Sequence, residues 1–157
     1  MRSYIKPKII FTDFDGCLTD DRIWLNEHGE EFVAANRKDG LAVERLNEID
    51  VKVIIISSEK NKVVLARGKK LKVEVLQGVT QKDLEIDKYL IEANLLWADI
   101  WYVGNDLNDL KPILKAAVSL CPADAVGKIK KAVDIKLKTK GGFGVLSEIA
   151  TMLEKIN

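Results

Sequence analysis

The stretch KIIFTDFDG, residues Lys8 to Gly16, decides how the rest of the chain is read. Ile9, Ile10 and Phe11 form a short apolar run rich in β-branched residues, which predicts a buried strand over Lys8 to Thr12. Asp13-Phe14-Asp15-Gly16 follows and sets two carboxylates at the strand's carboxyl end. Two such groups repel each other and lose hydration there, so leaving them unpaired is costly. A divalent cation offsets that cost, and hard oxygen ligands suit Mg²⁺. Asp and Gly are also common turn residues, so a plain turn explains the same four residues when they stand alone.

Outward from this stretch, apolar runs alternate with amphipathic ones. Val51 to Ile56, Val73 to Leu76, Ile100 to Val103 and Ala117 to Leu120 read as further strands, with a weaker one at Val133 to Leu137. Between them, Ala42, Leu46 and Ile49 recur at helical spacing, as do Leu110, Ile113 and Leu114. Asn61 to Leu71 and Lys82 to Ala93 read as crossover helices, and a last helix runs from about Val145 to Leu153. These apolar stripes are read as core faces. The alternation is that of an α/β fold built on a parallel sheet.

One segment breaks the alternation. Ile23 to Leu25 and Glu31 to Val33 flank Asn26-Glu27-His28-Gly29, which predicts a β-hairpin over about residues 22–34 with Gly29 at positive φ. Trp24 and Phe32 would project from it as an interface, and His28, the sole histidine, would be a solvated turn residue.

Composition narrows the functional classes. A chain of 157 residues fits one domain, expected over 1–157. Lys plus Arg number 25 against 24 Asp plus Glu, so there is no basic footprint for nucleic acid. No apolar run is long enough to cross a bilayer, and MRSYIKPK does not read as a signal peptide. Cys17 and Cys121 are far apart and form no CxxC pair, which points to a reduced, cytoplasmic setting.

A second acidic loop, Gly104-Asn105-Asp106-Leu107-Asn108-Asp109, follows the run Ile100 to Val103. Asp106 or Asn108 as an ordinary helix cap is one explanation. Convergence of two acidic loops on one crevice at neighbouring strand ends is the other, and capping does not account for the coincidence. Ser57 ends the second strand and Lys82 opens a helix; a hydroxyl and an ammonium at strand ends suit a phosphate.

Asp13-Phe14-Asp15-Gly16, Ser57, Lys82 and Gly104-Asn105-Asp106 together resemble, in order and spacing, the four motifs of the haloacid dehalogenase (HAD) superfamily. The resemblance implies a three-layer HAD-like Rossmannoid fold and a phosphatase. It makes Asp13 the nucleophile that forms an aspartyl phosphate, and Asp15 the acid that protonates the leaving oxygen and later activates water. Ser57 and Lys82 would hold the phosphoryl oxygens, while Asp106 would complete a Mg²⁺ site with Asp13 and the Asp15 carbonyl. Asn105 and Asp109 would be supporting residues.

The hairpin after the first motif, the tail Gly141-Gly142-Phe143-Gly144 and the lack of room for a cap domain look like the capless 3-deoxy-D-manno-octulosonate 8-phosphate phosphatase group. That likeness implies a homotetramer with hairpin and tail at the interface, acting on a phosphorylated sugar acid. Glu59 and Phe143 stand where that group usually has arginines. Glu59, Arg67 and Lys70 instead resemble the branch acting on 2-keto-3-deoxy-nononate and N-acylneuraminate 9-phosphates; as ordinary residues they would be solvated helix charges.

Three rivals are weaker. A cysteine phosphatase loop needs five residues between Cys and Arg, and Cys17 to Arg22 encloses four, two of them acidic. A receiver domain needs an Asp after the third strand, where Leu76-Gln77-Gly78 stands. An idle oligomerisation module of the same fold has no need of the complete polar set.

Overall fold

The apolar runs singled out above are the strands of the computed structural model, which describes residues 4–156. Residues 1–3 and 157, the ends of the expected single domain and part of the start MRSYIKPK, lie outside the described residues. In chain order the strands are β1 (Ile9–Thr12), β2 (Trp24–Leu25), β3 (Glu31–Phe32), β4 (Lys52–Ile56), β5 (Glu74–Leu76), β6 (Ile100–Val103), β7 (Val118–Cys121) and β8 (Ile135–Lys136). The helices are α1 (Arg37–Glu48), α2 (Lys62–Leu71), α3 (Lys82–Ala93), α4 (Leu110–Lys115), α5 (Gly127–Ala132) and α6 (Val145–Glu154).

Six strands form a parallel sheet in the order β5-β4-β1-β6-β7-β8. Alternate residues of each strand face opposite layers. Ile10, Val53, Ile55 and Trp101 pack with Leu46 of α1, Val64 of α2 and Ile149 of α6. Phe11, Ile54, Ile56 and Tyr102 pack on the other side with Ile86 of α3, Ile113 of α4 and Ile129 of α5. Helices thus cover both faces, which is why the strands read as nearly continuous apolar runs. Among the described residues no cap domain interrupts this three-layer arrangement.

The sheet order fixes where ligands go. From β1 the chain winds one way to β4 and β5, then returns to β6 on the other side of β1. The crevice lies where the order reverses, at the carboxyl ends of β1, β4 and β6.

Two local readings need correction. Leu114, assigned to a core face, is 68% exposed, because α4 is only six residues long and buries Pro112 and Ile113 instead. Helix α5 was not foreseen; its sequence GKIKKA buries only Ile129 and carries no periodic signal. The hairpin forms as expected, with Trp24 opposite Phe32. Asn26 Oδ1 accepts from the amides of His28 and Glu30, and Gly29 adopts φ +77°. Trp24, Leu25 and Phe32 are exposed, as is His28. Among the described residues, no helix is long and apolar enough to cross a membrane.

Candidate active site

Asp13 stands directly beyond β1, its amide donating to the Val103 carbonyl of β6 at 2.9 Å. The amide of Phe14 donates to Asp13 Oδ1 at 2.8 Å. Lys82, first residue of α3, reaches beneath it: Nζ lies 2.8 Å from Asp13 Oδ1 and 2.7 Å from Asp109 Oδ1, with the lysine side chain fully buried. Asp109 is saturated. Tyr102 donates its hydroxyl to Oδ1 at 2.6 Å, and the amides of Asn105 and Asp106 donate to Oδ2 at 2.9 and 3.3 Å. Gly104 permits this closure, because a Cβ there would meet Asp109 Cβ at 2.5 Å. Asp109 therefore anchors the lysine that reaches Asp13. Tyr102 was not anticipated as part of this cluster, and a hydroxyl within an apolar strand was its only sequence signal.

The acidic loop after β6 is arranged differently from the expectation that Asp106 stands beside Asp13. Asp106 Oδ1 accepts from the Leu107 amide at 2.6 Å and so caps a short 3-10 turn. It is Asn105 that faces inward. One terminal atom of its carboxamide lies 3.0 Å from the Asp15 carbonyl oxygen and 3.1 Å from Asp13 Oδ2. With nitrogen in that position the amide donates to both oxygens. With oxygen there, it faces the Asp15 carbonyl oxygen and Asp13 Oδ2 at 3.0 and 3.1 Å, close to the about 2.9 Å between adjacent ligands of an octahedral Mg²⁺. Among the described residues no three His, Cys, Asp or Glu side chains form a metal cluster. A set of one carboxylate, one carbonyl and one carboxamide is compatible with that, and it suits a hard cation.

The electrostatics fit the same cation. Burial, then the charge of Asp109, push the Asp13 carboxyl well above the usual carboxylate range, against the pull of Lys82. A divalent ion at Oδ2 would restore the carboxylate form. Burial also raises Asp15, helped by the charges of Asp21, Glu59 and Glu31, which favours a proton on Asp15. Burial opposes the charge of Lys82, but Asp13 and Asp109 outweigh it and hold the amine protonated.

Asp13, Asp15, Ser57, Glu59, Asn105 and Asp106 line one cleft of about 310 Å³, together with Asp21, Ser58 and Asn108, which sequence reasoning had not assigned. Ser57 Oγ accepts from the Glu59 amide at 3.2 Å, which leaves its O–H free to donate into the cleft. Asn108 Nδ2 donates to Ser58 Oγ at 3.2 Å and ties the loops after β4 and β6 together. Arg67 and Lys70 do not line the cleft. Arg67 Nη2 instead donates to the Asn36 carbonyl at 2.7 Å, and Lys70 is exposed on α2. The tail lies against its own chain: Gly142 N donates to Cys17 O at 2.9 Å. Cys17 is buried filling beneath this loop.

No family model matches the chain. It is 30% identical over 147 residues to the 3-deoxy-D-manno-octulosonate 8-phosphate phosphatase KdsC of Escherichia coli K12, covering 93% of this chain and 78% of the relative. It is 28% identical over 150 residues to N-acylneuraminate cytidylyltransferase A of Danio rerio, covering 92% of this chain but only 35% of that longer protein. Among solved structures, the phosphatase of Moraxella catarrhalis in complex with magnesium, phosphate and KDO superposes with a TM-score of 0.92 at 25% identity, covering 96% of this chain and 87% of the other. A cleft of this construction, on this sheet order, with that relationship along nearly the whole length, places the chain in the capless KdsC-type phosphatase family of the HAD superfamily, a group of phosphoric monoester hydrolases.

Proposed function

We propose that this chain is a Mg²⁺-dependent phosphatase that uses Asp13 as nucleophile on a 2-keto-3-deoxy sugar acid phosphate, with a nine-carbon 9-phosphate preferred. The observation that carries this reading is the buried Lys82, held between Asp13 and Asp109 under a cleft lined by Asp15 and Ser57.

Asp13 Oδ2, the Asp15 carbonyl and the Asn105 carboxamide oxygen would hold the ion, with Asp106 as a supporting acid on the cleft wall. Bound Mg²⁺ would neutralise charge on the transferring phosphoryl group and keep Asp13 ionised. Asp13 attacks phosphorus to form an aspartyl phosphate as the ester P–O bond breaks, and Asp15 delivers its proton to the leaving alkoxide. Asp15, now a carboxylate, takes a proton from water as that water attacks phosphorus. The bond between phosphorus and Asp13 then breaks and inorganic phosphate leaves. The Ser57 hydroxyl and the Lys82 ammonium stabilise the phosphoryl oxygens throughout.

The nine-carbon reading is supported by Glu59, which lines the cleft, and by the likeness to a protein named for N-acylneuraminate. The likeness to KdsC favours the eight-carbon 3-deoxy-D-manno-octulosonate 8-phosphate as the second reading. All of this is the work of one domain over 1–157, acting in the cytoplasm. The exposed Trp24, Leu25 and Phe32 of the hairpin and Phe143 of the tail support a homotetramer with hairpin and C-terminal tail at the interface.

Phosphate release from eight- and nine-carbon sugar acid phosphates, with Mg²⁺ or with chelator, tests the reading. The expected result is Mg²⁺-dependent release, abolished in Asp13→Asn, with higher kcat/KM for the nine-carbon ester. Full activity of Asp13→Asn would overturn the mechanism, and a higher kcat/KM for the eight-carbon ester would overturn the preference. Sedimentation as a monomer alone would remove the tetramer.

A further inference from the structure

Asn105 meets Asp13 with a neutral carboxamide, and it has little room to move. Its backbone amide donates to Asp109 Oδ2 at 2.9 Å, and its backbone carbonyl accepts from the Val126 amide at 3.0 Å. Gly16, at φ +80°, passes so close that a Cβ there would stand 1.9 Å from the carboxamide atom turned away from Asp13. The residue is only 7% exposed. One motion stays open to it: a half-turn about the bond between Cβ and Cγ, whose torsion is roughly two-fold. That turn exchanges nitrogen for oxygen, atoms of nearly equal size, and displaces no neighbour.

Each orientation answers a different need of the same two oxygens. Asp13 Oδ2 and the Asp15 carbonyl oxygen lie 3.1 and 3.0 Å from the carboxamide atom that faces them. Those are ordinary hydrogen-bond lengths, and a carboxamide nitrogen carries two hydrogens, one for each oxygen. Without a cation between them, nitrogen gives both a donor, whereas oxygen would set three acceptors against one another. A cation reverses the demand, because Mg²⁺ takes oxygen ligands and hydrogens turned toward it would repel it. An aspartate in this place could meet only the second need. Ionised, it has no hydrogen to give, and it would add a third carboxylate to Asp13 and Asp109 around the single ammonium of Lys82.

We propose that Asn105 is a positioning residue that stands in for the cation. With nitrogen inward it holds Asp13 Oδ2 and the Asp15 carbonyl together, and it turns its oxygen inward when Mg²⁺ binds. The proposal deepens the Mg²⁺ site read above and rests on it. The pocket is then preset for the ion rather than gathered by it, and the neutral ligand gives up some affinity for Mg²⁺ to keep the site ordered without it.

The test uses the full chain and the variants Asn105→Asp and Asn105→Ala, each in chelator and in saturating Mg²⁺. Titration calorimetry reads Mg²⁺ affinity and urea unfolding reads stability. In chelator, both variants are expected to unfold at lower urea than wild type. Asn105→Asp should bind Mg²⁺ about 10-fold more tightly, since a charged ligand replaces a neutral one, and Asn105→Ala more weakly. Saturating Mg²⁺ should therefore narrow the stability gap for Asn105→Asp and widen it for Asn105→Ala. A residue that only fills space would leave both gaps unchanged. The turn itself is read by nuclear magnetic resonance: contacts from the Asn105 side-chain NH₂ to the Gly16 α-protons should strengthen when Mg²⁺ is added. Asn105→Asp as stable as wild type in chelator would overturn the proposal, as would NH₂ contacts that do not respond to Mg²⁺. A wild-type chain that bound no Mg²⁺ would defeat the Mg²⁺ reading instead, and unfolding in chelator would still decide whether the carboxamide holds Asp13 to Asp15.

Discussion

Lys82 and Lys115 each bridge two aspartates, and they do opposite kinds of work. Lys82 joins Asp13 and Asp109 at 2.8 and 2.7 Å with its side chain fully buried. Lys115 of α4 joins Asp83 and Asp87 of α3 at 3.3 and 2.9 Å with its side chain 38% exposed, lying over the Trp97 ring. Water screens the pair of Lys115 with Asp87, whose side chains are 38% and 36% exposed, so that pair contributes little, while Asp83 is the buried member of the cluster. The first has no water to fall back on, and each charge there depends on its partners. A cluster of that kind is poor as stabilisation and good as a preset field for chemistry.

The sharpest way to break the comparison is Lys82→Met. Two carboxylates then face each other without a cation, so activity is expected to vanish and stability to fall by about 3–5 kcal/mol, read by phosphate release and urea unfolding. A loss under about 1 kcal/mol would mean that the two clusters are energetically alike.

Asp39 extends the comparison to a buried carboxylate without a full partner set. Burial raises its pKa from 3.8 to about 6, against the Leu146 amide and Arg67. The fold thus prefers the protonated acid. That preference stabilises the protein below about pH 4 and is lost as pH rises through 6, up to a limit of about 3 kcal/mol. Asp39→Asn should be more stable than wild type at pH 7 and should flatten stability between pH 4 and 6. Unfolding curves in urea across that range check it, and an unaltered pH profile would rule Asp39 out as its source.

Tyr102→Phe removes one donor from Asp109 while leaving Lys82 in place. The expected loss is about 1–2 kcal/mol with a smaller loss of kcat than in Lys82→Met. The smallest effect belongs to Lys115→Ala: within about 1 kcal/mol, weakened further by salt, with kcat unchanged. A stability loss for Lys115→Ala as large as that for Lys82→Met would undo the distinction between screened and buried clusters.

What the sequence made legible follows the same division. The buried strands announce themselves, because parallel strands covered on both faces leave unbroken apolar runs such as Ile100 to Val103. Asp13, Ser57, Lys82 and Asp109 sit at the ends of those runs or one helical turn beyond, so their convergence could be inferred. The difference between Asn105 and Asp106 could not. Both follow β6, and a single residue of phase decides which one faces Asp13 and which one caps a turn. Arg67 escaped for a similar reason. It lies on the border of the face of α2 that buries Val64, Gly68 and Leu71, and periodicity does not say whether a border residue turns to solvent, substrate or a neighbouring carbonyl. Helix α5 is short and lysine-rich, so one buried Ile129 left no pattern to read.

The strap formed by Gly141 and Gly142 limits what can stand at these two positions. A Cβ on Gly141 would lie 2.1 Å from the Gly16 carbonyl oxygen, and one on Gly142 would lie 2.6 Å from the Asp20 amide nitrogen. Any side chain there has to push back the loop beside Asp15, while the sheet and the helices on both its faces stay as they are. Gly141→Ala should therefore fold and turn over slowly. Wild-type turnover by that variant would show that the clasp is dispensable.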